Sequence, residues 1–177
     1  NSLDQYDDVT VKLHIFHAQL SASQLDQIRA AWSWYTRPAL TKLNFPAANQ
    51  QMIQRLLWPK LIKISTELTV LDQLSDDRLL YLRCDVAQFD SLVPQLNQLS
   101  AAQLSRLILN IDLWTRLERS QQANIGAVHF KQWQLLQLGE QDLPRHIRCV
   151  AACHDAQAIA QANRLGLEAI MLSPVLA

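Results

Sequence analysis

Short apolar runs recur about every 22 residues through the last two-thirds of the chain, each followed by a stretch with helical apolar spacing. The runs are Leu61-Ile62-Lys63-Ile64, Leu79-Leu80-Tyr81-Leu82, Leu107-Ile108-Leu109, Ala127-Val128-His129-Phe130, Cys149-Val150-Ala151-Ala152 and Ala169-Ile170-Met171-Leu172. Alternation of strand and helix is the pattern of a parallel sheet or barrel. An eight-stranded barrel needs two units beyond these six. The pattern therefore predicts an α/β fold containing an incomplete (β/α)8 barrel. Its clearest helices are expected over residues 86–99 and 155–165. Ser100-Ala101-Ala102-Gln103 reads as a capping box, and Asp155 and Gly166 as the caps of the last helix.

Residues 1–58 follow a different pattern. Residues 9–18 are rich in β-branched side chains and alternate loosely, which predicts a strand. Ser23-Gln24-Leu25-Asp26 opens a short polar stretch, and residues 31–35 predict a second strand. Thr36-Arg37-Pro38 reads as a helix start, with Thr36 as cap and Pro38 in the first turn. Residues 47–57 predict a helix with Ala48, Met52, Ile53, Leu56 and Leu57 as its apolar positions. Trp58-Pro59 ends it, because proline disfavours helix in the residue before it. The order is thus β–β–α–α, and a domain boundary is expected at Trp58-Pro59-Lys60.

Composition narrows the function classes. The 16 basic and 16 acidic side chains balance and are not clustered, so charge offers no reason to expect nucleic acid or an anionic membrane as partner. No apolar run approaches the roughly 18 residues of a membrane span. The first residues show no secretory signal, and Cys84, Cys149 and Cys153 are an odd number without paired spacing. Both point to reduced thiols in the cytoplasm. With only three glycines, a P-loop and a GxGxxG fingerprint are excluded.

In parallel βα folds, ligands sit beyond the carboxyl ends of the strands. The residues just after each run are therefore the candidates: Ser65 and Thr66, Arg83 and Asp85, Asn110 and Asp112, His129, His154, and Ser173. Ser65, Asp85 and Asp112 serve equally well as helix caps. His129 fits a ligand site or a core histidine. His154 lies between a strand end and a helix cap, where an imidazole can act as acid or base near neutral pH.

Residues 127–130, then Val150-Ala151-Ala152-Cys153-His154-Asp155, then residues 165–175 up to Ser173-Pro174-Val175 resemble the thiamine phosphate synthase/TenI family. That family is a (β/α)8 barrel with GVHL, SxH and GPV segments at similar spacing. The resemblance covers residues 60–177. It implies coupling of a pyrimidine pyrophosphate to a thiazole phosphate with magnesium. Arg83 matches the arginine of the family's QxRxK, and Asn110 the asparagine of its Asn-Asp pair. The two magnesium carboxylates correspond to Ile111 and Gly126, with Asp112 one place away, and the serine of SxH is Ala152. The TenI branch, whose thiazole tautomerase chemistry needs a proton shuttle rather than a metal, is the nearer likeness. His154 matches its histidine, so His154 is the expected acid/base, with Arg83, Asn110, His129 and Ser173 as substrate contacts. Binding of thiazole phosphate without turnover is the alternative.

Residues 8–16, Trp32-Ser33-Trp34 and Asn44-Phe45-Pro46-Ala47-Ala48-Asn49 resemble the C-terminal half of a MutT-type Nudix hydrolase. The likeness implies that Asn49 reads an oxidised purine base, since an amide offers donor and acceptor together; capping the following helix is its other use. The Nudix box, whose glutamates hold magnesium, is absent from this sequence. A Nudix module joined to a thiamine phosphate synthase-like barrel is a known bacterial fusion. The chain is expected to be its middle, lacking the start of one module and strands seven and eight of the other. Its expected partners are small molecules (thiazole phosphate, pyrimidine pyrophosphate, purine nucleotide), with self-association through open sheet edges.

Overall fold

The computed structural model describes residues 2–5, 10–13, 19–29, 33–59, 61–144 and 146–174. Contacts divide the chain into two compact units at Trp58/Pro59.

In the first unit, strands β1 (Ser2–Gln5) and β2 (Thr10–Leu13) pair antiparallel. A one-turn helix α1 (Ala22–Leu25) follows, with Ser21 and Gln24 forming a capping box. Two 3-10 turns, Pro38–Lys42 and Ala47–Asn49, lead into α2 (Gln50–Leu57). The expected strand over 9–18 is β2 within residues 10–13, and residues 14–18 lie outside those described. The expected strand at 31–35 is not one in its described part. Ser33, Trp34 and Tyr35 have no pairing partner among the described residues, and the two aromatic side chains are exposed. The first turn after them is 3-10, with Arg37 rather than Thr36 at the cap position. Helix α2 stops at Leu57, where Trp58 turns to extended backbone ahead of Pro59.

In the second unit all six apolar runs are strands: β3 (Leu61–Ser65), β4 (Arg78–Leu82), β5 (Leu107–Asn110), β6 (Ala127–Phe130), β7 (Arg148–Cys153) and β8 (Ala169–Leu172). They form one curled parallel sheet in sequence order, a half-barrel. Parallel neighbours need crossovers. A 3-10 helix (Leu68–Gln73) links β3 to β4. Helices α3 (Val86–Leu96) and α4 (Ala101–Leu104) link β4 to β5, and α5 (Ile111–Trp114) and α6 (Arg119–Gln122) link β5 to β6. Helix α7 (Gln132–Gln137) links β6 to β7, and α8 (Ala156–Leu165) links β7 to β8. Side-chain oxygens start the clearest of them: Asp85 accepts from the Gln88 N–H, Ser100 from Gln103 and Asp155 from Ala158. Gly166 ends α8 with φ of 68°, a left-handed turn that suits glycine.

The two-residue period of the strands sorts side chains to opposite faces. Leu80, Leu82, Leu107 and Leu109 pack with Phe89, Leu96, Leu104 and Leu113 from the helices. Val128, Phe130, Cys149, Ala151 and Cys153 continue that layer against Leu135, Ala158, Ala162 and Leu165. The alternate residues Leu79, Tyr81, Ile108, Ala127, His129 and Val150 are also buried but belong to the other face. Burial on both faces explains why the strands read as continuous apolar runs. No helix among the described residues is long and apolar enough to cross a membrane.

Candidate functional site

A cavity of about 950 Å³ opens beyond the carboxyl ends of the strands in the second unit. Arg83, Asp85, Asn110, Asp112, His129, His154 and Ser173 all line it. Ser65 and Thr66 do not; the Ser65 hydroxyl accepts the Glu67 N–H at 3.0 Å, a local turn. Asn49 lies in the first unit, half-buried at the cap position of α2, and its side chain makes no capping bond.

His154 follows β7 and is exposed to the cavity. Its backbone N–H donates to the Gln132 side-chain oxygen at 2.5 Å, and the Gln132 amide donates to Asp155 at 2.6 Å. Its Nδ1 meets the Ser173 carbonyl oxygen. A carbonyl only accepts, so Nδ1 carries a proton, and in the neutral ring Nε2 has the lone pair. Ser173 in turn is tied to β7 by its N–H to the Cys153 carbonyl, at 3.3 Å.

His129 is the opposite kind of histidine, buried in β6. Its Nδ1 lies 3.0 Å from the Tyr81 hydroxyl, with ring centroids 4.4 Å apart and tilted by 33°. Burial, and then the positive charges of Arg83 and Lys131, push its pKa down to about 4, so it is neutral at physiological pH. Burial also raises the Tyr81 hydroxyl above its ordinary value.

Asn110 is spent inside the protein. Its amide donates to the His129 carbonyl at 3.1 Å and to the Gln134 side-chain oxygen at 2.9 Å, and its oxygen caps α5 through the Asp112 N–H at 3.1 Å. Gln134, buried in α7, also accepts the Lys131 N–H at 2.8 Å and donates to Asp112 at 2.9 Å. This network holds the rim of β5 against that of β6. Arg83 and Lys131 are the cations that line the cavity, and neither forms an ion pair among the described residues. The exposed apolar side chains of Ile64, Val86 and Trp133 are also part of the wall.

The residues present do not suit the magnesium that the synthase resemblance implies. Asp85 is engaged as a helix cap and Asp112 by Gln134. At Gly126 a Cβ would stand 2.1 Å from the Ser105 carbonyl oxygen, so that position has no room for a carboxylate. No group of three or more His, Cys, Asp or Glu side chains gathers as a metal site among the described residues.

Tyr81, Lys131, Gln132, Trp133 and Gln134 were not among the sequence candidates. Four of them follow β6 directly, and extending the strand-end rule into the first helical turn would have found them. Tyr81 lies inside a strand, where only its partner 48 residues away marks it. No family model matches the chain, and neither a curated protein nor a solved structure matches it.

Proposed function

We propose that the second unit is a thiamine phosphate synthase/TenI-like module that works on a thiazole phosphate by proton transfer, as the TenI branch does. The observation that carries this reading is His154: its Nδ1 is held by the Ser173 carbonyl, which leaves Nε2 as a base at the rim of the cavity. Arg83 and Lys131, without an ion pair among the described residues, supply positive charge for a phosphate. In the reaction, Nε2 takes a proton from a ring carbon while the electron pair of that C–H bond enters the ring. The electron pair moves through the ring onto a conjugated exocyclic double bond, and the resulting imidazolium returns the proton to the outer carbon of that bond, so the ring becomes aromatic by isomerisation with no net gain or loss. Synthase chemistry is the weaker reading, because the charge of departing pyrophosphate calls for a metal ion, and the carboxylates that would hold one are engaged at Asp85 and Asp112 and have no room at Gly126.

The test is turnover of the thiazole phosphate tautomer to its aromatic form, followed by NMR. Turnover that falls at least a hundredfold in His154→Ala, with KM raised in Arg83→Ala, is the expected outcome. Full activity in His154→Ala defeats the reading. Calorimetric binding of thiazole phosphate without turnover assigns the unit to the non-catalytic alternative.

We propose that the first unit is the C-terminal half of a MutT-type Nudix module, with Asn49 reading a purine base. The half-buried Asn49 side chain, free of any capping bond, supports this. In that reading the chain is a piece of a bifunctional protein joining oxidised purine nucleotide hydrolysis to thiamine biosynthesis or salvage. Binding of an oxidised guanosine monophosphate to the full chain, lost in Asn49→Ala, is expected; equal binding by both defeats it.

A further inference from the structure

The two cavity histidines differ in a way that the proton-transfer reading does not use. His154 is exposed and presents a lone pair, while His129 is buried and bonded to a phenol. Tyr81 and His129 sit on β4 and β6, on the same sheet face, with β5 between them. Both are more than nine-tenths buried, and burying two polar groups is costly unless they satisfy each other. They do so across 3.0 Å.

The direction of that bond follows from chemistry. A phenol is a good donor and a poor acceptor, whereas the unprotonated nitrogen of a neutral imidazole is a good acceptor. Tyr81 therefore donates to Nδ1, which puts the His129 proton on Nε2. No hydrogen bond to Nε2 is formed among the described residues, and His129 lines the cavity. Asn110 anchors the same residue by its carbonyl at 3.1 Å, so the backbone that carries the ring is fixed.

The geometry points to the Tyr81–His129 pair as a built, neutral hydrogen-bond donor on the cavity wall, which receives an acceptor atom of the ligand in the same cavity where His154 acts as base. This role rests on the proton-transfer reading above. When Nε2 of His154 removes a ring proton, negative charge spreads onto the ligand's acceptor atoms. A fixed N–H donor that costs no reorganisation stabilises that charge. The neighbouring Arg83 and Lys131 disfavour a second proton on His129, so it donates without becoming an acid that quenches the anion. The acceptor class it selects is an azole nitrogen or a carboxylate oxygen.

Long-range 1H–15N spectra of the imidazoles test this on the full chain, with His129→Gln and His154→Gln to assign the signals. Without ligand at neutral pH, His129 is expected as the Nε2–H tautomer, and Tyr81→Phe is expected to shift it towards a mixture of tautomers. The Nδ1–H tautomer in the parent chain, or no change in Tyr81→Phe, overturns the pair. On adding thiazole phosphate, the His129 Nε2–H resonance is expected to move together with that of His154. Movement of His154 alone overturns the role of His129 and leaves the proton-transfer reading standing. Movement of neither overturns both.

Discussion

At the scale of single residues, burial decides which side chains can react. Cys149 and Cys153 are both buried in β7. Burial, with Glu168 beside it, pushes the Cys149 thiol up to about 12, and burial also raises Cys153. Neither is a thiolate near neutral pH, so the native chain should consume about one equivalent of iodoacetamide slowly, at half-buried Cys84, before unfolding releases the others. Peptide mapping of the alkylated sites checks this. His129 has a consequence for stability. Its folded pKa of about 4 lies below the ordinary 6.5, so between those values the unfolded chain binds the extra proton. Stability is then full above about pH 6.5 and falls as the pH drops towards 4, by up to about 3 kcal/mol from this group. Urea melts at pH 7 and pH 4.5 should show His129→Gln losing less stability on acidification than the parent chain. An equal loss in both would assign the acid sensitivity to other groups.

At the scale of elements, the close approach at Gly126 is the sharpest constraint. Its N–H donates to the Leu104 and Leu107 carbonyls at 3.3 and 3.0 Å, and the Ser105 backbone occupies the space a side chain would need. Gly126→Ala is expected to cost about 1–3 kcal/mol or more, because backbone rather than a flexible side chain must give way. A thermal melt no lower than the parent's would contradict that. All six strands of the second unit were legible because each is an apolar run between helix signals. The caps Asp85, Ser100 and Asp155 were legible because they act within three residues of themselves. Strand β1 was not, since Ser2-Leu3-Asp4-Gln5 has no strand character and is defined only by its pairing with β2. The one-turn helices α5 and α6 are too short to show a period. The rim residues Arg83, His129 and His154 could be read from position alone. The Tyr81–His129 and Asn110–Gln134 contacts could not, because they join residues on different elements of the half-barrel.

At the scale of the whole molecule, β3 and β8 each have a single strand neighbour among the described residues. Leu61 and Ile64 on one, and Ile170 and Leu172 on the other, are exposed. Unpaired strands with apolar side chains are templates for association. Light scattering across the micromolar range should show concentration-dependent oligomers, reduced by the double variant Ile170→Lys and Leu172→Lys. A monodisperse monomer throughout would refute this. The strictly sequential strand order reaches further than the folded state. Leu61 pairs with Arg78, Leu80 with Leu107, Ile108 with Ala127, Ala127 with Arg148 and Val150 with Ala169, so each strand from β3 to β7 finds a partner in the next strand synthesised. Parallel sheets usually assemble slowly because their partners are remote. Here a nascent chain leaving the ribosome can close each pairing as soon as the following strand emerges, with no need to wait for its distant end.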